Sequence, residues 1–495
     1  MTTWILTIGS SDVLLKSDRN WNSLERQAQA KTRDLPHFRP SIVKMPNGAD
    51  FFAFPVRALG IVYSSQLETY SSDLCLPRLE TLCGQFRTSY PEHIIILLTD
   101  QAHLQPAARR KTHHAYWQDT CELKPILEFY LNQKFPDVSQ DYLIVRPEPQ
   151  GETIEVLGLD HWDSTLSLIQ ALMADIDDKS HKTIYVSHQG GIPALSSAVQ
   201  FVTLTKFADK VQFLVSNEFQ ENSSELISSS TYLRGIRLQE AKRLLLRHDY
   251  VGVQELLRHG LLTSDDPLGS KIDSLLNSAI LWNQAQFKQF SESLPLELQE
   301  RTQEWWWAGY ESAYLAMIRL EQGNTVEALF HSFRAAEGML SNWAKWYYPD
   351  DIKEDKKGAP IVFLREDSHL PDYLKSKLAE KREKNKEANF MLYSQELFNL
   401  FQAVHPDASE NENVKVIWKG AKGVRNQQFH RLLGLNEKEV FRAWGCKENR
   451  KAWEDRLLNC LNFIAGQDFK SLKDSSLMSR VQAELWGALN SVNLP

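Results

Sequence analysis

Apolar residues in the first third of the chain fall in short runs that suit buried strands: Trp4–Ile8, His93–Leu98, Tyr142–Val145, Thr183–Val186 and Val211–Val215. Between them, apolar positions recur at helical spacing around Leu76–Phe86, Leu123–Leu131, Ser164–Ile176 and Ala194–Phe201. This alternation predicts a mostly parallel sheet with helices on both faces. A further run, Phe51–Phe54, is expected to form an edge strand in the insertion after the first strand. From about Leu233 the pattern changes, and Gln239–Tyr250 followed by Val253–Leu257 reads as a helical hairpin. From Gln299 onward only helical spacing recurs. Trp305, Trp306 and Trp307, with Tyr310, Tyr314 and Ile318, make an aromatic stripe expected in a core. Asn324–Tyr347 is a long amphipathic helix with Asn324 as N-cap, and Arg334 and Glu337 share one of its faces. Lys375–Lys386 reads as a solvated helix or insertion, and Asn436–Phe463 as a last long helix. The expected fold class is α/β plus all-α: a Rossmann-like domain over 1–222, a helical connector over 223–298 and an all-helical domain over 299–495.

Composition narrows the function. The 495 residues are 42 % hydrophobic and 11 % aromatic, enough for full cores. A net charge of -7 argues against broad adhesion to nucleic acid, so any polyanion must be held in local basic pockets. Cys75, Cys83, Cys121, Cys446 and Cys460 are scattered, without a Cys-x-x-Cys pair, which suits a reducing cytoplasm and argues against zinc. No charged leader precedes a long apolar core, and no run approaches the ~18 apolar residues of a membrane span. A cytoplasmic protein is expected.

In parallel sheets, ligands sit beyond the carboxyl ends of the strands, where strand order reverses. Two loops qualify. Thr7-Ile8-Gly9-Ser10-Ser11-Asp12 follows the first strand, and Ser187-His188-Gln189-Gly190-Gly191-Ile192-Pro193 feeds a helix. Both combine glycine, which allows close backbone approach, with hydroxyls and free amides. The helix start after Gly190-Gly191 favours an anion through its N–H groups and dipole. The plain alternative is a pair of ordinary strand-to-helix turns. Neither a Gly-x-Gly-x-x-Gly fingerprint nor a P-loop is present, so a dinucleotide cofactor and P-loop NTP hydrolysis are not supported.

The second candidate is Gly423-Val424-Arg425-Asn426-Gln427-Gln428-Phe429-His430. An imidazole moves protons near neutral pH, and a guanidinium clamps a phosphate through paired hydrogen bonds. Together they can cut RNA without a metal. The spacing alone is unspecific: Arg109 to His114 and Arg243 to His248 repeat it. The first sits in a basic stretch, Arg109–His114, that reads as a solvated loop or an arm toward a polyanion. The second has a structural explanation, with Arg243 on an exposed face and His248 as a cation at a helix end. Five positions turn a helix by about 140°, so one helix face presents Arg425 and His430 poorly. Placing Arg425 at the helix entry relieves this. So does facing two copies across a two-fold axis, which favours a homodimer with a composite site.

These residues together resemble the CARF–HEPN ribonucleases, ancillary effectors of type III CRISPR systems. Thr7–Asp12 resembles the opening loop of a CARF domain, and Ser187–Ala194 is similar to its second ligand loop, with Ile192 where threonine is usual. The Arg334/Glu337 helix and Arg425-Asn426…His430 resemble a HEPN domain and its Arg-x(4–6)-His motif. The resemblance implies a metal-independent endoribonuclease of single-stranded RNA, with no cofactor, activated by cyclic oligoadenylate, tetra-adenylate favoured over hexa-adenylate. It implies His430 in proton transfer, Arg425 on the scissile phosphate and Asn426 orienting one of them. Thr7, Gly9, Ser10, Ser11, Asp12, Ser187, His188, Gln189, Gly190 and Gly191 would bind the ring. A homodimer or higher oligomer is expected, with no membrane and no required stable complex with the CRISPR effector. The alternative is a non-catalytic nucleotide sensor, with slow degradation of its ring through Ser10 or Ser11 as a subsidiary reading.

Overall fold

The computed structural model describes residues 1–492 apart from 33, 46–47, 87–89, 105–110, 148–156, 178, 217–222, 259–266, 357, 364, 366, 386–388, 418–433 and 448. The chain divides into two compact units, Met1–Arg234 and Gly235–Pro495.

The first unit is built on six strands: β1 (Thr2–Thr7), β2 (His93–Thr99), β3 (Ser139–Val145), β4 (Thr183–Ser187), β5 (Val211–Ser216) and β6 (Ser224–Ser228). Their order is β6-β5-β4-β1-β2-β3. All neighbours are parallel except β6, which returns antiparallel beside β5. The central strands are apolar on both faces because both faces are covered. Trp4, Leu6, Ile94, Ile96 and Leu98 enter one core, while Ile5, Ile95 and Leu97 enter the other. That is the period-2 alternation of a strand. The first core is closed by the helices Trp21–Lys31, Val56–Tyr63, Pro77–Cys83 and Lys124–Lys134. The second is closed by Trp162–Ala174 and Pro193–Phe207. Each fully buried aliphatic side chain contributes about 1.5–3 kcal/mol, which makes this sheet a firm base for its loops.

The insertion between β1 and β2 differs from expectation. Asp50–Ala53 is not an edge: it pairs antiparallel with Ser41–Lys44 on one side and with Leu14–Leu15 on the other. A hairpin supplies the second neighbour, and Phe54 is drawn inward, stacked at 3.7 Å on the buried Trp21.

In the second unit, Trp307–Glu321 packs along Thr325–Tyr347. Trp306, Tyr310, Tyr314 and Ile318 are buried, and Asn324 caps the long helix by accepting from the Glu327 amide at 3.2 Å. One hydrophobic core runs from Leu238 to Val492. Two features were not visible in the pattern. Ile352–Glu354, Pro360–Phe363 and Asn389–Met391 form a small antiparallel sheet. The expected helix Asn436–Phe463 is two helices, Glu437–Ala443 and Arg450–Ala465. Gly445, at φ +63°, turns the chain between them, and Asn449 caps the second by accepting from the Ala452 amide. No helix among the described residues is long and apolar enough to cross a membrane.

Candidate functional site

The chain leaves β1 for β2 and β3 on one side, then returns to β4 and β5 on the other. The reversal falls between β1 and β4, and the two glycine loops are the exits of these two neighbouring strands. Register pairs Leu6 with Ser187, so the loops begin level with one another. They touch backbone to backbone: a Cβ on Gly9 would lie 2.5 Å from the Gly191 amide nitrogen. A Cβ on Gly190 would strike both the Thr7 carbonyl and Arg78. Gly191, at φ +92°, has the left-handed backbone that glycine adopts without strain.

Side chains beneath the loops hold them in place. Asp12 is buried and accepts from the Gly9 amide at 2.5 Å. Arg78 donates through Nη2 to the Thr7 carbonyl at 2.9 Å and to Asp12 Oδ2 at 2.5 Å. Thr7 Oγ1 donates to the Ser187 carbonyl at 3.4 Å. Ser187 Oγ accepts from Trp4 Nε1 and donates to the Leu214 carbonyl. Gln189 pairs with Ser216, accepting from its amide at 2.7 Å and donating to its carbonyl at 3.0 Å. His188 is half-buried, with Nδ1 hydrogen-bonded to Ser196 Oγ at 3.1 Å. Burial, and secondarily the charge of Arg78, hold its imidazole below the ordinary histidine range.

The ten residues of the expected ring site therefore divide by role. Thr7, Gly9, Asp12, Ser187 and Gly190 are buried and shape the loops. Ser10, Ser11, Gln189 and Gly191 are exposed on the rim. Beyond the second loop, Pro193–Phe207 opens with proline at its first turn and no side-chain cap, leaving N–H groups for an anion.

Sequence reasoning missed Arg78, which stands 66 positions from Asp12. It also missed an ionic network at the exits of β2 and β3. Buried Arg57 donates to Asp100 at 2.6 Å and to Asp119 at 3.1 Å, with its guanidinium 3.9 Å from the centre of the Tyr116 ring. Arg146 donates to the other oxygen of Asp100 at 2.8 Å. Burial alone would raise the Asp100 carboxyl, but the bonds from Arg57 and Arg146 hold it below its ordinary range. Its aspartates and arginines read as scattered surface charge until the fold gathers them.

Arg425, Asn426 and His430 lie outside the described residues, as does Arg109. The described flanks of the motif are well anchored. Val414 and Ile417 are buried before it, and after it Thr325 Oγ1 donates to the Leu435 carbonyl at 2.7 Å. Asn436 then forms a capping box with Glu439. The Arg334 guanidinium lies 5.5 Å from the centre of the Phe287 ring. His114 has a local role, since Nδ1 accepts from the Tyr116 amide at 3.2 Å. Arg243 is exposed as expected, but His248 is not a cation at a helix end. Burial, with Lys473 and Arg319 nearby, lowers its pKa to about 4, and Nδ1 bonds to the Tyr250 hydroxyl at 2.8 Å. Desolvation outweighs the helix dipole there.

No protein-family model matches the chain, and no curated protein matches it. Among solved structures, the chain is similar to Enterococcus italicus Csm6 bound to cyclic hexa-2'-fluoro-hexa-dAMP. The two share 12 % identity at a TM-score of 0.54, over 99 % of this chain and 100 % of that one. At this identity the likeness is one of fold, and it extends over both units.

Proposed function

We propose that the chain is a cyclic-oligoadenylate-activated, metal-independent endoribonuclease that cuts single-stranded RNA in type III CRISPR antiviral defence. The observation that carries this reading is the meeting of two glycine loops at the reversal of a parallel sheet, on a chain whose whole length shares its fold with a protein solved with a cyclic oligonucleotide. The loops offer what a phosphodiester ring needs: exposed hydroxyls at Ser10 and Ser11, close backbone at Gly9, Gly190 and Gly191, and an uncapped helix start. We assign sensing to residues 1–222 together with β6, which completes their sheet, and cutting to 299–495, joined by the helices between them.

In the cutting step, His430 moves a proton at the ribose 2′-hydroxyl or the leaving oxygen. Arg425 holds the charge growing on phosphorus, and Asn426 orients one of the two. Attack by the 2′-hydroxyl leaves a 2′,3′-cyclic phosphate and needs no metal. A homodimer supplies two such sets across a two-fold axis. The ring acts by population shift, stabilising the state in which these groups are aligned.

The test is RNA cleavage in EDTA with and without cyclic tetra-adenylate and cyclic hexa-adenylate. Tetra-adenylate is the ring expected from the resemblance, while the solved neighbour holds a six-membered ring. The reading expects cleavage only with a ring, and its loss in Arg425→Ala and His430→Ala with ring binding intact. Cleavage retained in both variants ends the assignment. Ring binding without cleavage under any condition leaves a nucleotide sensor instead.

A further inference from the structure

Arg78 stands on Pro77–Cys83, a helix that belongs to neither loop, yet its guanidinium touches both. It meets the β1 loop twice, at the Thr7 carbonyl and at Asp12, and the β4 loop at Gly190. Among the described residues, its hydrogen bonds all leave from Nη2. The side chain is 15 % exposed, while the Asp12 carboxylate that balances it is 3 % exposed. The charge therefore lies beneath the meeting point of the two loops. A planar guanidinium can lock a carbonyl and a carboxylate with one nitrogen and present others elsewhere; an ammonium is a single point charge.

We infer that Arg78 is the positioning residue of this site: it fixes the spacing of the two loops and sets a positive charge beneath the phosphodiester of a bound oligonucleotide. The inference rests on the two-loop site being the ring site proposed above. The electrostatics of the second loop agree with this placement. After burial, Arg78 is what holds the His188 imidazole below its ordinary range.

Removing Arg78 alone takes a positive charge away from a buried carboxylate and risks the fold. The decisive variant is therefore the double change Arg78→Met with Asp12→Asn, compared with Asp12→Asn alone and with Arg78→Lys. All are made in the full chain. Binding of cyclic tetra-adenylate and cyclic hexa-adenylate is measured by calorimetry, melting is recorded alongside, and His188 is titrated by NMR. Loss of the loop clamp and of the positive charge beneath the phosphodiester weakens the ring Kd by about tenfold or more in the double variant. Asp12→Asn alone keeps the guanidinium and loses less ring affinity than the double variant, Arg78→Lys falls between wild type and the double variant, and the double variant melts closer to wild type than either single charge loss. The His188 pKa rises toward the ordinary value when Arg78 is gone. Wild-type ring affinity in the double variant overturns the inference, as does an unmoved His188. A wild-type protein that binds neither ring overturns the ribonuclease reading and with it this inference, whereas ring binding shared equally by wild type and double variant overturns the inference alone.

Discussion

At the scale of single residues, burial decides which charges this chain keeps. His331 faces inward from Thr325–Tyr347, with Nδ1 buried and without a hydrogen-bond partner among the described residues. Burial, with Arg334 and Arg319 adding to it, lowers its pKa from 6.5 to about 4. The folded protein therefore holds this imidazole neutral across a range in which the unfolded chain protonates it. Between pH 6.5 and 4 the unfolded state binds more protons, so stability falls as the pH drops through that window and levels off below it. The full shift is worth about 3 kcal/mol. His331→Gln is expected to lose less stability than wild type on going from pH 7 to pH 4, as read from urea midpoints at each pH. Equal losses in both proteins would show that the imidazole does not titrate as described. The same rule separates Arg78 from the exposed arginines. With Asp12 buried beside it, that pair is coupled to the loops, whereas surface pairs such as Lys470 with Asp468 contribute little.

At the scale of elements, apolar runs made the sheet legible. Trp4–Ile8 and His93–Leu98 are continuous because both faces of β1 and β2 are covered, and such runs stand out from their flanks. The two loops were legible for the same reason: each is the first polar, glycine-bearing stretch after a buried strand. Elements of three or four residues were not. Ile352–Glu354 and Asn389–Met391 are too short to show a period, and their partners come from hairpin geometry rather than pattern. The break inside 436–463 was hidden because the buried Ala443, Cys446, Trp453 and Leu457 follow one another at three, seven and four positions, a helical spacing that runs across it. Arg78 was hidden because nothing local marks an arginine as buried; its partners lie in other segments. The break yields a prediction. Gly445 sits at φ +63°, and a Cβ there would lie 2.8 Å from Arg456 Nη1 and 3.0 Å from Val416 Cγ2. Gly445→Ala should therefore cost about 1–2 kcal/mol. Thermal unfolding measures it, and an unchanged midpoint would mean the turn adapts at no cost.

At the scale of the whole molecule, one chain carries two meeting glycine loops in its first unit and, in its second, buried and hydrogen-bonded flanks on either side of the Arg–His motif. A ring can switch the proposed ribonuclease on only through its differential affinity for the two states of the protein. That requirement is reciprocal. If the ring tightens RNA binding by some factor, RNA must tighten ring binding by the same factor. Coupling in such systems is commonly about 1–3 kcal/mol, or about five- to 150-fold. An RNA with 2′-fluoro sugars throughout has no 2′-hydroxyl to attack phosphorus, so it isolates binding from chemistry. The affinity of the activating ring, measured by calorimetry with and without this oligonucleotide, should rise by the factor by which saturating ring raises the affinity for the oligonucleotide. Because the comparison uses binding alone, it holds for His430→Ala as well as for wild type. Ring affinity that ignores the oligonucleotide, in a protein whose cleavage still requires the ring, would place the switch in the chemical step. The ring would then align Arg425 and His430 around RNA already bound, rather than recruit the RNA.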